Sequence, residues 1–245
     1  MIIIMIIMII WVIEMSIYQR ENSYIKLLGE KQRTVSELSK LLYISEVTVR
    51  RDIAEMREKD LVVCRRGVVS LRTDSADKRV PMFIRTGENM DKKSIIASKA
   101  AHYIKDGSVI MLDASTTAYC LVTHLTKFKN IIVITNGAKT AVATASLGIK
   151  TICCGGLLLD DSFCYVGGDA EQMLSRYKAD IAFFSIRGID SEGNAVDMSV
   201  DENNMRRIMM KNSSKSYLLC DSTKFGKSYF NILCNVSELD GVIMD

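Results

Sequence analysis

Apolar residues in the first part of the chain recur at steps of three and four, the period of helices that bury one face. "ENSYIKLLGEK" turns Ile25 and Leu28 to one side. "TVSELSKLL" carries the stripe Val35, Leu38, Leu41 and Leu42. It opens on Thr34 with Glu37 three residues on, a capping box. "YIS" is a tight connector, and Ser45 is the N-cap of the next helix. In "EVTVRRDIAEM", steps of about 100° per residue bring Val49, Ile53 and Met56 into one arc of roughly 60°. Val47, Thr48 and Arg51 then point away from that arc, with Arg50 on its flank. "LVVCRRGVVSL" follows, two β-branched runs around Arg65, Arg66 and Gly67, which predicts a short hairpin with a basic tip. Three helices followed by such a hairpin predict a winged helix-turn-helix.

The pattern then changes. Residues 73–81 are polar, lack an apolar period and end on the chain's only proline, so they read as a linker. Beyond them, apolar runs alternate with helical segments. "SVIMLD", "IIVIT", "KTICCGG", "DIAFFSI", "SYLLCD" and "GVIM" read as strands. "KKSIIASKAAHYI", "TAYCLVTHL", "AKTAVATASLG", "AEQMLSRYK" and "DENNMRRIMMKN" read as helices. Near-continuous apolar strands separated by helices predict a mostly parallel sheet covered on both faces, an α/β fold. The expected division is an apolar leader at 1–14, a DNA-binding domain at 15–72, the linker at 73–81 and a second domain at 82–245.

Composition alters this picture at three points. The net charge of +3 in 245 residues is too small to argue for nucleic acid by itself. Its placement says more: residues 14–72 hold twelve Lys and Arg against nine Asp and Glu, and the remainder is balanced. The seven cysteines have no metal-site spacing, and most lie in apolar runs, as packed thiols of a reduced, cytoplasmic protein do. With only His102 and His124 present, zinc or histidine-based catalysis is not expected, and no metal or cofactor is assigned. The leader "MIIIMIIMIIWVI" is shorter than the roughly 20 apolar residues that cross a bilayer. It also lacks the basic start and small-residue cleavage site of a secretory signal. It is expected to be an extension ahead of a domain that begins near Met15, without stable membrane association; a membrane-tethered protein is the alternative.

Candidate chemistry falls in two places. The outer face of the Ser45 helix offers guanidinium, hydroxyl and methyl groups near a helix start, the set that reads phosphates and base edges. Ser45, Glu46, Val47, Thr48, Arg50 and Arg51 are therefore placed at DNA, with Arg65 and Arg66 in the hairpin and Thr34 and Ser36 on the preceding helix. Arg51 is the candidate for a base-edge contact. In an open α/β sheet, ligands bind outside the carboxyl ends of the strands. Those ends carry Asp113, Ser115, Thr116 and Thr117; Thr135, Asn136 and Gly137; Gly155 and Gly156; Arg187 and Gly188; and Asp221 and Lys224. Hydroxyls and N–H groups at the helix starting near Thr117 suit a phosphate, which Lys224 and Arg187 can neutralise. Asp113, Asn136 and Asp221 can accept from sugar hydroxyls. A phosphorylated sugar or polyol is the expected ligand.

"VSELSKLLYISEVTVRRDIAEM", "LDASTTAYCL", "VITNGAKTA", "CGG", "ADIAFFSIRGID" and "LLCDSTKFGKSY" together resemble the DeoR-type family of bacterial transcription regulators, from about Tyr18 to the end of the chain. The resemblance implies a winged helix-turn-helix joined to an effector domain similar in fold to ribose-5-phosphate isomerase. It also implies a sensor rather than a catalyst, repressing a carbohydrate-use operon until its effector binds. The chain departs from the family at the hairpin, where Arg66-Gly67-Val68-Val69 stands in place of two glycines. It departs also at Ser115, usually glycine, and at Arg187, usually small or uncharged. One domain reads few base pairs, so a dimer or tetramer on paired operator half-sites is expected. The rival from another class is a sugar-phosphate isomerase with an accessory DNA-binding domain, using Asp113, Asp201, Glu202 and Lys224 as acid–base groups.

Overall fold

Thr34 determines where the second helix begins. Its hydroxyl accepts from the Glu37 N–H at 3.2 Å, and the Glu37 carboxylate accepts from the Thr34 N–H at 2.7 Å, the reciprocal box read in the sequence. The structure, a computed structural model, describes residues 20–21, 23–25, 27–29, 31–59, 61–71 and 82–245. The apolar leader 1–14 and the linker 73–81 lie outside the described residues. Two compact units meet between Glu88 and Asn89.

In the first unit, α1 is described at 20–21, 23–25 and 27–29. It is followed by β1 (Arg33–Thr34), α2 (Val35–Leu42), α3 (Glu46–Glu58), β2 (Val62–Arg65), β3 (Val68–Leu71) and α4 (Met82–Gly87). Tyr43 ends α2 in the left-handed region at φ 55°, and Ser45 caps α3 by accepting from the Thr48 N–H at 3.1 Å. Ile25, Leu28, Val35, Leu38, Val49, Ile53 and Met56 share one core with Val62, Val69 and Leu71 of the hairpin. Leu41 does not join it and is 45% exposed. It lies about 60° beyond Leu38 on the helical wheel, at the margin of the stripe. Arg66 and Gly67 form the hairpin turn with φ 51° and 78°, the two positive values that a two-residue turn of this hand requires. Two-residue β1 pairs antiparallel with β3, an addition too short to leave a periodic signal.

The second unit opens with α5 (Met90–Ala101), β4 (Val109–Leu112), α6 (Thr116–Tyr119), α7 (Val122–Leu125), β5 (Ile132–Thr135), α8 (Ala138–Ser146) and β6 (Lys150–Cys153). It continues through β7 (Leu157–Leu158), β8 (Tyr165–Val166), α9 (Gly168–Ser175), β9 (Ala179–Phe184), β10 (Gly188–Ile189) and β11 (Asn194–Asp197). It closes with α10 (Val200–Asn212), β12 (Ser213–Leu219), β13 (Asn231–Asn235) and β14 (Gly241–Ile243). Six strands form one sheet in the order β14-β12-β9-β4-β5-β6, every neighbouring pair parallel. Alternate residues along each strand enter two cores: Met111, Ile134, Ala182, Phe184 and Leu218 on one face, Ile110, Leu112, Val133, Phe183 and Leu219 on the other. All six predicted strands are present. "TAYCLVTHL" is two one-turn helices rather than one. A three-stranded antiparallel sheet, β10-β11-β13, and the hairpin β7-β8 were not expected.

Gly156 has φ 114°, and a Cβ there would stand 2.9 Å from the Val166 carbonyl oxygen and 3.3 Å from the Ala170 methyl. The glycine lets the chain leaving β6 pack against β8 and α9. Gly156→Ala is expected to destabilise the second unit by about 1–3 kcal/mol, read as a lower urea midpoint with an unchanged slope.

Candidate functional site

On α3 the buried and exposed faces separate cleanly. Val49, Asp52, Ile53 and Met56 are buried, while Val47 is 78% exposed. Asp52 is the polar exception on the inner face. Its carboxylate accepts from Arg20 Nε at 3.0 Å and from the Tyr24 hydroxyl at 3.2 Å, both on α1. Burial, and then the Asp52 charge, push the Tyr24 hydroxyl well above its ordinary pKa, so it remains a donor.

On the outer face the Arg50 guanidinium lies 3.3 Å from Glu46 across an exposed helical turn. Arg51 is two-thirds exposed, with Asp52 as a distant neighbour at 3.9 Å. Ser45, Glu46 and Ser36 are exposed, and Thr34, the N-cap of α2, and Thr48, whose N–H donates to the Ser45 cap, are half-buried. Arg65 is exposed on β2 and Arg66 at the turn. All ten residues read as DNA-binding therefore lie on one unit, and none is buried.

At the carboxyl edge of the large sheet the geometry is built around a residue the sequence reading did not single out. Arg206 of α10 is buried and donates from Nε to Asp113 Oδ2 at 3.1 Å. Its Nη1 reaches Asp197 Oδ2 at 2.9 Å and Asn203 Oδ1 at 2.8 Å, and its Nη2 reaches Glu202 at 2.9 Å. Burial opposes the charge, but the three carboxylates outweigh it and raise the Arg206 pKa. Burial likewise pushes the Asp197 carboxyl up, while Arg206 and then Arg187 pull it down, and the net shift is downward. The Glu202, Asn203 and Arg206 spacing, three and four residues apart on one helix, was readable as a signal. The partners on other elements were not.

The remaining predicted residues fall into three groups. The first is tied to Arg206. Asp113 also accepts from the Ser115 hydroxyl at 2.5 Å and the Ser185 N–H at 3.2 Å. Arg187 lies 3.5 Å from Asp197. Lys224 donates to Ser185 Oγ at 2.7 Å and lies 3.7 Å from Asp221. Asp221 is occupied capping a short turn at Thr223. The two cations assigned to a phosphate thus already have carboxylate neighbours.

The second group is buried at the tips of β4 and β5. Ser115 caps α6 by accepting from the Ala118 N–H at 3.1 Å. α6 is a single turn of four residues. Thr116 is buried beside Thr117, and the Thr117 hydroxyl and Asn136 Oδ1 have no hydrogen-bond partner among the described residues. Thr135 accepts from the Gly137 N–H at 3.0 Å. The third group has backbone roles. Gly156 makes the close approach described above, with Gly155 exposed beside it. Gly188 lies so close to the Lys227 carbonyl that no Cβ fits.

A winged helix-turn-helix followed by an α/β unit with a polar edge of strand tips defines a transcription regulator with a sensing domain. Residues 20–73 match the DeoR-like helix-turn-helix domain and residues 88–245 the DeoR C terminal sensor domain. The chain is 30% identical over 231 residues to the HTH-type transcriptional regulator GolR of Listeria innocua, covering 93% of this chain and 90% of that one. It is 30% identical over 237 residues to the lactose phosphotransferase system repressor of Staphylococcus epidermidis, covering 94% and 93%. Ribose 5-phosphate isomerase A from Methanocaldococcus jannaschii has a similar structure at TM-score 0.43 and 19% identity, over 56% of this chain and 55% of that one. The chain belongs to the DeoR family of transcription regulators. No helix among the described residues is long and apolar enough to cross a membrane.

Arg206→Met is expected to cost about 3–5 kcal/mol near neutral pH, because it leaves carboxylates buried without their cation. In the native protein Asp197 has a lowered pKa, so its contribution is present above the unfolded value and lost as pH falls through the folded one. In the variant, protonation relieves the cost of burying carboxylates whose cation has been removed. Urea unfolding should therefore show a deficit that is largest near pH 7 and shrinks towards pH 5.

Proposed function

We propose that this regulator binds operator DNA through the outer face of α3 and the β2-β3 hairpin, and that a phosphorylated sugar or polyol at the strand tips of the second unit controls it. The observation that carries the DNA reading is Arg51: a largely exposed guanidinium beside Val47 and Thr48, on a helix whose opposite face is anchored in the core. Guanidinium, hydroxyl and methyl groups together suit guanine edges, phosphates and thymine methyls. Arg50, Arg65 and Arg66 add phosphate contacts, with Thr34, Ser36, Ser45 and Glu46 around them. In this reading residues 15–72 are the reader, 73–81 a linker and 82–245 the sensor.

The protein acts as a repressor of a carbohydrate-use operon, in the cytoplasm, as a dimer or tetramer on paired half-sites. The relative named for lactose phosphotransferase repression supports the carbohydrate reading. The effector must favour the arrangement that does not hold DNA. The site's carboxylates support a sensor over an isomerase. Asp113 and Glu202 are both bound to Arg206, and Asp201 is exposed at the start of α10, so these three, among the described residues, make no free carboxylate pair. Incubation with pentose phosphates is expected to give no aldose–ketose conversion.

Arg51→Ala should reduce discrimination between operator and mismatched sites by about 1–3 kcal/mol. Arg65→Ala should weaken binding to all sequences alike and reduce the salt slope by about one. Fluorescence anisotropy over a salt series separates the two. Unchanged operator preference in Arg51→Ala would overturn the α3 assignment. A thermal-shift screen of sugar phosphates should raise the unfolding temperature for a specific ligand.

A further inference from the structure

Helix α8 starts without the usual satisfaction of its backbone. Its N-cap, Gly137, has no side chain to offer, and the nine-residue helix makes its first internal bond from Ala141 N–H to the Gly137 carbonyl at 2.9 Å. The Gly137 N–H is taken by Thr135 and the Ala138 N–H by the Phe163 carbonyl. The N–H groups of Lys139 and Thr140 have no acceptor among the described residues.

Buried side chains at the same place are also unsatisfied among the described residues. Thr140 is fully buried, its hydroxyl has no partner among the described residues, and that hydroxyl lies 3.1 Å from where a Gly137 Cβ would stand, so it points to the helix start. Asn136 Oδ1 is buried and unpaired while its amide donates to Cys164 Sγ at 3.0 Å. Ser162, in the turn that covers Gly137 and Ala138, has an unpaired buried hydroxyl as well. Such groups in folded proteins are normally satisfied, by protein, water or ligand. Lys139 itself is half-buried, its ammonium 4.8 Å from the Tyr119 ring, with no carboxylate partner among the described residues. Arg187, Arg206 and Lys224 each have one. Burial lowers the Lys139 pKa, the cost of an uncompensated charge. Gly137 packs against Ala114 closely enough that a Cβ would meet its Cα at 2.9 Å, so this cluster adjoins the Asp113 loop.

We propose that the phosphate of the effector docks at the start of α8, held by the Lys139 ammonium, the N–H groups of Lys139 and Thr140 and the Thr140 hydroxyl, while Asn136 Oδ1 accepts from a neighbouring ligand hydroxyl. This rests on the sensor reading above and assigns its phosphate end. Two orphan N–H groups at a helix start favour an anion. Lys139 adds charge, and Asn136 Oδ1 adds the acceptor that a bare phosphate does not need and a polyol phosphate does.

The test is calorimetry and thermal shift on the full chain with inorganic phosphate, then hexose phosphates, at an ionic strength held constant with chloride. Wild type should show saturable stabilisation by phosphate. Lys139→Gln should weaken phosphate binding at least about tenfold, the scale of a charge-assisted hydrogen bond. Thr140→Val should give opposite signs: a higher unfolding temperature without ligand, because an unpaired buried hydroxyl is gone, and several-fold weaker phosphate binding. A purely structural role would lower the unfolding temperature and leave phosphate affinity intact. No saturable phosphate response in wild type, or wild-type affinity in both variants, overturns the proposal. If Lys224→Gln abolishes phosphate binding while Lys139→Gln does not, the phosphate end lies at Lys224 and the sensor reading stands. Stabilisation by unphosphorylated hexoses alone overturns both.

Discussion

The carboxyl edge of the large sheet depends on one buried guanidinium. Arg206 stands where Asp113, at the tip of β4, Asp197, at the end of β11, and Glu202, one turn back on α10, converge within 3.1 Å. None of these charges could be buried alone, because taking an ion out of water costs several kcal/mol that only its partners return. The consequence is mechanical as well as electrostatic. β11 belongs to the small antiparallel sheet and β4 to the large parallel one, so the guanidinium ties two sheets that share no strand. Asp113 extends the tie to Ser115 and Ser185, and Ser185 extends it to Lys224. A ligand that moves one of these loops must reorganise the others, since each displaced partner leaves a buried charge or hydrogen bond unmet. Close-packed, coupled arrangements of this kind shift between discrete states rather than deform gradually, which is what a sensor requires.

The reader unit applies the same logic at smaller scale. Asp52 is the inward-facing carboxylate of α3, and Arg20 and Tyr24 of α1 hold it. That contact fixes the rotation of α3 about its axis in a way that Val49, Ile53 and Met56, which are not directional, do not. With the inner polar group satisfied from inside, the outer arginines are left mainly to solvent. Neighbouring residues of one tripeptide, Arg50-Arg51-Asp52, thus split between two environments because helical geometry turns them about 100° apart at each step.

Much of this was legible in the residues. The capping pairs at Thr34 and Ser45, the buried stripe of α3, the basic hairpin tip and all six parallel strands follow from local periodicity and turn chemistry, which tertiary packing then only confirmed. What was not read has several causes. β1, β7, β8 and β10 are two residues long, too short for any period to register. "TAYCLVTHL" has a helical composition, but its turns break at Cys120 and Leu121, and nothing in its hydrophobicity marks the break. Glycines 156 and 188 were read as ligand-facing because glycine at a strand end is ambiguous. The structure places at each a close approach of another segment, which the sequence does not reveal. Arg206 was overlooked because its partners are spread from residue 113 to residue 203.

By itself the sequence determined the class of fold, the two-part organisation and the face of α3 turned outward. Those properties depend on neighbours within a few residues along the chain, where spacing alone sets geometry. Only the tertiary structure decided which charges at the strand tips are already paired and which polar atoms are left wanting. Lys139 and Lys224 are indistinguishable as letters. One gains a carboxylate from the way its loop folds back, the other meets an aromatic ring and an uncapped helix start, and that difference exists only once distant segments are brought together.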